Sequence, residues 1–141
     1  MKAALPEGRL QILVIEDNPA DVELLRLALA EAGLVCDLTV IVDGAAALAL
    51  ILQMGEEERA PHLAILDLNL PKHDGLEILE KIRATRSLTT LPIVILSSSS
   101  SPRDRARIEK FGVGRYLVKP PSLDEFLRIG LVVKELLSES L

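Results

Sequence analysis

Five short apolar runs rich in Val, Ile and Leu recur along the chain, at residues 10–15, 35–42, 63–66, 93–96 and 115–118. They are mostly continuous rather than alternating, the pattern of strands covered on both faces, as in a parallel sheet flanked by helices. Between them lie helical patterns. Asn18 as N-cap and Pro19 at the first helical position open the first, with Val22, Leu25, Leu29 and Ala32 on one face and Gly33 ending it. A second helix is expected to start after Asp43 and run to about Met54, and a third after Asp74, where Asp74 and Glu77 stand at capping-box spacing. The fourth, residues 102–110, has only Ala106, Ile108 and Phe111 as anchors among charged residues and should be loosely held.

The last helix starts at Ser122, with Glu125 at capping-box spacing, and is expected to run unbroken to about Ser138. Leu123, Phe126, Leu127 and Val133 make one buried face, and Ile129, Val132 and Leu136 a second. A helix apolar on two sides is usually buried on both, so the second face is either a subunit or partner contact or a scatter of surface aliphatics. The order is thus βα five times. It predicts an α/β fold, a doubly wound, open parallel sheet of five strands with right-handed crossovers and strand order 2-1-3-4-5. The bridge 55–61, with Glu56, Glu57 and Glu58 in a row, reads as a solvated loop.

A length of 141 residues suits one compact domain. No segment reaches the ~18 uninterrupted apolar residues of a membrane span, and the first ten residues lack the pattern of a secretory signal, so a cytoplasmic protein is expected. The lone cysteine, Cys36, reads as a buried filler in an apolar run. A net charge of −5 disfavours a nucleic-acid surface, which needs clustered Lys and Arg.

In such a sheet ligands sit beyond the carboxyl ends of the strands. Strand one ends in Glu16 and Asp17, strand three in Asp67, strand four in Ser97 and strand five in Lys119, while strand two ends only in Asp43, a helix cap. Each alone could be an ordinary polar strand end. Their convergence from four adjacent strands is harder to explain so, because two carboxylates at ~4 Å repel by roughly 4 kcal/mol at an effective dielectric of ~20. The three acids need a cation, and an all-oxygen site suits Mg²⁺ better than zinc, for which His62 and His73 are too isolated. Lys119 and Ser97 are the charge and the neutral donor that a phosphoryl group's oxygens require. The chemistry inferred is phosphoryl transfer onto Asp67.

Glu16-Asp17 after the first strand, Asp67 followed by Asn69 and Pro71, the pair Asp74-Gly75, then Ser97, Tyr116 and Lys119-Pro120 together resemble the motif set of the response regulator receiver domains of two-component systems. The resemblance spans about residues 10–137, which leaves 1–9 as an expected N-terminal extension and 10–141 as the receiver, expected to be of the stand-alone type. It implies that Asp67 takes a phosphoryl group from a sensor histidine kinase, directly or through a histidine phosphotransfer protein, as an acyl phosphate. It implies that Mg²⁺ is held by Glu16, Asp17, Asp67 and the backbone carbonyl of Asn69, the Asn69 side chain not being needed. Ser97 would then bond the phosphoryl group and draw its loop inward, vacating space for Tyr116 to rotate, while Lys119 pairs with another phosphoryl oxygen. The family also implies a cis peptide at Lys119-Pro120.

A weakly anchored segment, 97–110, is the one that such new contacts could reorder. Partner surfaces are expected on the fourth helix, fifth strand and last helix, which could also serve a homodimer. Within the run Ser97 to Ser101, Ser99 either affects phosphoryl lifetime or belongs to a plain loop. A phosphatase of the haloacid dehalogenase type would place a second acid where Asn69 stands and its nucleophile after the first strand. A flavodoxin-like carrier would need a phosphate loop after that strand. A phosphorylation-independent interaction module with the same fold is the strongest rival, disfavoured by the intact acid set, Ser97 and Lys119.

Overall fold

The computed structural model describes residues 8–140, so most of the expected extension at 1–9, together with Leu141, lies outside the described residues. Strands β1 (Leu10–Ile15), β2 (Cys36–Ile41), β3 (Leu63–Asp67), β4 (Ile93–Ser97) and β5 (Arg115–Val118) form one parallel sheet in the order β2-β1-β3-β4-β5. This is the doubly wound order expected. The central strands are the continuous apolar runs: every residue of β3 and β4 is buried. β2 lies at an edge and is only half-buried, which corrects the expectation for Cys36, itself half-buried with its thiol pKa raised by burial.

Among the described residues six α-helices connect and follow the strands, α1 (Pro19–Glu31), α2 (Gly44–Glu56), α3 (Gly75–Ala84), α4 (Pro102–Glu109), α5 (Leu123–Leu127) and α6 (Ile129–Ser140), with one 3-10 turn at Arg86–Leu88 before β4. Successive side chains of a strand point to opposite faces, so the sheet carries two cores. Leu13, Ile15, Leu66 and Ile95 face α2 and α3 through Ile51, Ile78 and Ile82. Ile12, Val14, Ile65 and Val94 face α1 and the C-terminal helices through Leu25, Leu29, Phe126 and Val133. Among the described residues no helix is long and apolar enough to cross a membrane.

The caps follow the local chemistry. Asn18 Oδ1 accepts from the Ala20 N–H at 2.9 Å, Asp43 Oδ1 from Ala46 at 2.7 Å and Asp74 Oδ1 from Leu76 at 3.0 Å. The reciprocal arm expected of Glu77 is instead turned toward His73 Nδ1, 3.5 Å away. Gly33 takes the positive φ of +78° that ends α1. Gly55 and Glu56, expected in the loop, are the last residues of α2, and beyond them Glu57 pairs with Arg59. As expected, α4 is sparsely anchored, with Ile108 its one buried residue.

Two readings of the C-terminus are corrected. The helix is not continuous: at Arg128 it tightens, with the Arg128 N–H bonded to the Glu125 carbonyl and that of Leu131 to the Arg128 carbonyl. The tight turn sits where Gly130 presses its backbone against the Ala28 carbonyl of α1, an approach that any Cβ would block. The two apolar faces also merge. Phe126, Ile129, Val133, Leu136 and Leu137 are all buried in one core, whereas Leu123, expected inside, is 53% exposed. The expectation of a cis peptide at Lys119-Pro120 is corrected as well: no peptide bond among the described residues is cis, and trans is the intrinsically favoured isomer even before proline.

Candidate functional site

The carboxyl ends of β1, β3, β4 and β5 meet as expected. Glu16 and Asp67 are buried at 1% and 3% exposure, with Ser97 at 1% beside them. Asp17 is exposed at the rim. Glu16, Asp17 and Asp67 each offer a carboxylate oxygen, and these oxygens lie within 4.8 Å of one another. Lys119 reaches across from the end of β5, its Nζ 2.8 Å from Glu16 Oε1, 2.8 Å from Asp21 Oδ2 and 3.2 Å from Asp67 Oδ2.

One ammonium against four carboxylates leaves a local excess of negative charge, a donor set of hard oxygens that fits a divalent cation such as Mg²⁺, Mn²⁺ or Ca²⁺. The strain is visible at Glu16. Burial, above all, raises its pKa to about 7; the hydrogen bond from Lys119 opposes the rise and the neighbouring Asp67 adds to it. Lys119 is the converse case: burial alone would lower its pKa, but the bonds to Asp21 and Glu16 and the charge of Asp67 outweigh it, so the net shift is upward.

The loops fix the remaining groups. Asp67 Oδ1 accepts the Asn69 N–H at 2.9 Å, which pins the β3–α3 loop to the strand end. The Asn69 side chain is engaged too: its Oδ1 accepts from the Ser98 N–H at 3.0 Å, the Ser98 hydroxyl at 3.1 Å and the Ser97 hydroxyl at 3.4 Å. Ser97 Oγ accepts the Ser99 N–H at 3.0 Å. The Ser99 hydroxyl donates to Asp104 at 2.9 Å, tying the serine run to the first turn of α4. Tyr116 is buried at 8% exposure, and its hydroxyl donates to the Ser99 carbonyl at 3.2 Å. The Arg105 guanidinium stands 5.5 Å from the centre of its ring.

The expected site residues Glu16, Asp17, Asp67, Asn69, Ser97 and Lys119 thus lie at this end of the sheet, and the Tyr116 hydroxyl reaches toward it through Ser99. Two contributions were missed. Asp21, in the first turn of α1, reads in sequence as an ordinary acid complementing the helix N-terminus. Its only other signal is that this helix follows directly on the acidic pair Glu16-Asp17. The Asn69 side chain has no part in the expected metal shell, which uses only its carbonyl, and nothing in the sequence shows that it meets Ser97 and Ser98.

The family model of the response regulator receiver domain matches residues 12–129. The chain belongs to the receiver domain family. The response regulator Rcp1 of Synechocystis sp. is 36% identical over 120 residues, which cover 84% of this chain and 82% of Rcp1. The crystal structure of the phosphorylated cyanobacterial phytochrome response regulator RcpA is similar with a TM-score of 0.79 at 35% identity, covering 91% of this chain and 93% of RcpA. That of the Mn²⁺-bound form of Rcp1 also superposes with a TM-score of 0.79, at 33% identity, covering 94% of this chain and 96% of Rcp1. This receiver domain is therefore one of the signalling regulators of two-component systems, with the sheet order and acid cluster that its sequence implied.

Proposed function

We propose that this receiver domain is a phosphorylation switch whose acceptor is Asp67, loaded by the phosphohistidine of a sensor histidine kinase or histidine phosphotransfer protein. The observation that carries the reading is the convergence of Asp67 with Lys119, Glu16 and Asp17 at adjacent strand ends. Relatives support it: RcpA is described in a phosphorylated form and Rcp1 with Mn²⁺. The cation proposed here is Mg²⁺, held by Glu16, Asp17, Asp67 and the backbone carbonyl of Asn69. When bound, it supplies the positive charge that offsets the carboxylates and the phosphoryl oxygens.

Asp67 attacks phosphorus through a carboxylate oxygen. A P–O bond forms as the P–N bond to the donor histidine breaks, the electron pair leaving on the imidazole nitrogen, and an acyl phosphate results. Lys119 places its ammonium against a phosphoryl oxygen. Ser97 exchanges its long bond to Asn69 for a bond to another phosphoryl oxygen, which moves the loop that carries Ser99. Because Tyr116 is bonded to the Ser99 carbonyl and lies under Arg105, that movement reaches both the buried tyrosine and α4. The rotation of Tyr116 expected from sequence becomes a resetting of this bond, since Tyr116 is already buried. The domain catalyses only its own phosphorylation and dephosphorylation, works in the cytoplasm without contacting nucleic acid, and signals to its downstream partner through α4, β5 and the C-terminal helices.

The test is incubation with Mg²⁺ and acetyl phosphate, followed by intact mass. One phosphoryl adduct is expected on the wild type, none without Mg²⁺ and none on Asp67→Asn. No adduct on the wild type, with beryllofluoride also failing to bind, would instead support a phosphorylation-independent interaction module.

A further inference from the structure

We infer that Asp21 is a positioning residue for Lys119: it is the carboxylate that holds the ammonium beside Asp67 when the other two carboxylates are engaged elsewhere. The inference rests on the phosphoacceptor reading of Asp67. An ammonium has three N–H donors, and here all three are directed at carboxylates, two at 2.8 Å (Glu16, Asp21) and one at 3.2 Å (Asp67). To reach a phosphoryl oxygen, Lys119 must give up at least one of them.

The three partners differ in what else they must do. Asp67 becomes an ester-like carbonyl once it carries the phosphoryl group and loses its charge. Glu16 is a proposed cation holder and also accepts the Asn18 N–H at 3.2 Å. Asp21 has neither duty. It is fixed by its backbone rather than by the site, in the first turn of a 13-residue helix capped by Asn18, whose N-terminal dipole favours its charge. Its carboxylate is 18% exposed, so the ion pair with Lys119 is shielded from solvent. Lys119, anchored there, needs to swing only from Glu16 or Asp67 to a phosphoryl oxygen, with its chain already placed.

The experiment measures the rate of adduct formation with acetyl phosphate and Mg²⁺ by intact mass, for wild type, Asp21→Asn, Lys119→Ala and the double variant. Asp21→Asn is expected to slow the reaction roughly tenfold, the fold-change of one lost charge-assisted hydrogen bond. The double variant is expected to be no slower than Lys119→Ala alone, because Asp21 acts only through that side chain. Asp21→Glu should recover part of the rate. A second readout needs no phosphorylation: in metal-free protein the Lys119 ammonium resonance, held in slow exchange by its partners, should broaden in Asp21→Asn while the backbone amides stay in place. A rate for Asp21→Asn equal to wild type, or a loss that adds fully to that of Lys119→Ala, overturns the inference while leaving Asp67 as acceptor. Absence of any adduct on the wild type overturns both.

Discussion

At the scale of single residues, Glu16 couples the site to the stability of the domain. Its pKa rises from 4.5 to about 7 on folding in metal-free protein, chiefly through burial. A carboxyl whose folded pKa is raised binds its proton more tightly in the folded state. Its contribution is fully present below pH 4.5 and is lost as the pH climbs through about 7, where the charged form is left desolvated. A cation that takes the place of the proton reverses that loss. Melting curves with and without Mg²⁺ should therefore show a larger gain in Tm at pH 8 than at pH 5.5. Equal gains at the two pH values would mean that Glu16 does not exchange its proton for the cation.

At the scale of elements, two residues hold the layers together. Arg83 on α3 points its guanidinium at four backbone carbonyls, those of Phe111 (2.7 Å), Leu88 (3.1 Å), Leu91 (2.9 Å) and Gly112 (3.1 Å). It thereby closes the ends of the loops before β4 and β5. Lysine keeps the charge but lacks the planar fork, so Arg83→Lys should cost about 2 kcal/mol in urea denaturation. A loss under ~0.5 kcal/mol, the range of an ordinary surface change, would show that the carbonyls find other partners. Gly130 is the second. Because its neighbour is the Ala28 backbone rather than a flexible side chain, Gly130→Ala should destabilise by roughly 1–3 kcal/mol as α1 and α6 are forced apart. Unchanged stability in the same assay would show that the two helices can separate without cost.

At the scale of the whole molecule, the C-terminal helices bear on association. Ile129 and Leu136, two of the three residues read as a free second face, are buried in the chain's own core, and Val132 is half-buried. Among the described residues, the large apolar side chains exposed in this region are Val118 on β5, Leu123 on α5 and Leu131 on α6. A homodimer through α4, β5 and these helices would draw its apolar contact from them. Sedimentation of the beryllofluoride-treated protein is expected to show a dimer that Leu123→Arg abolishes without changing the melting temperature. A monomer with and without beryllofluoride would remove the dimer from the account.

The sequence by itself determined the order of elements, the sheet topology and the acid, hydroxyl and ammonium set at the strand ends. The reason is that apolar periodicity, caps such as Asn18, Asp43 and Asp74, and strand-terminal polar residues are local signals, legible within a few residues of each other. Only the tertiary structure decided the rest. Asp21 meets Lys119 from 98 positions away, and the Asn69 side chain meets Ser97 across 28. Arg83 finds carbonyls that carry no sequence signal at all, because every residue has one. The two faces of the last helix became one because α6 packs against both α1 and the sheet, and Gly130 set how closely. Such contacts depend on the distance between separate elements, which residue type and spacing along the chain do not specify.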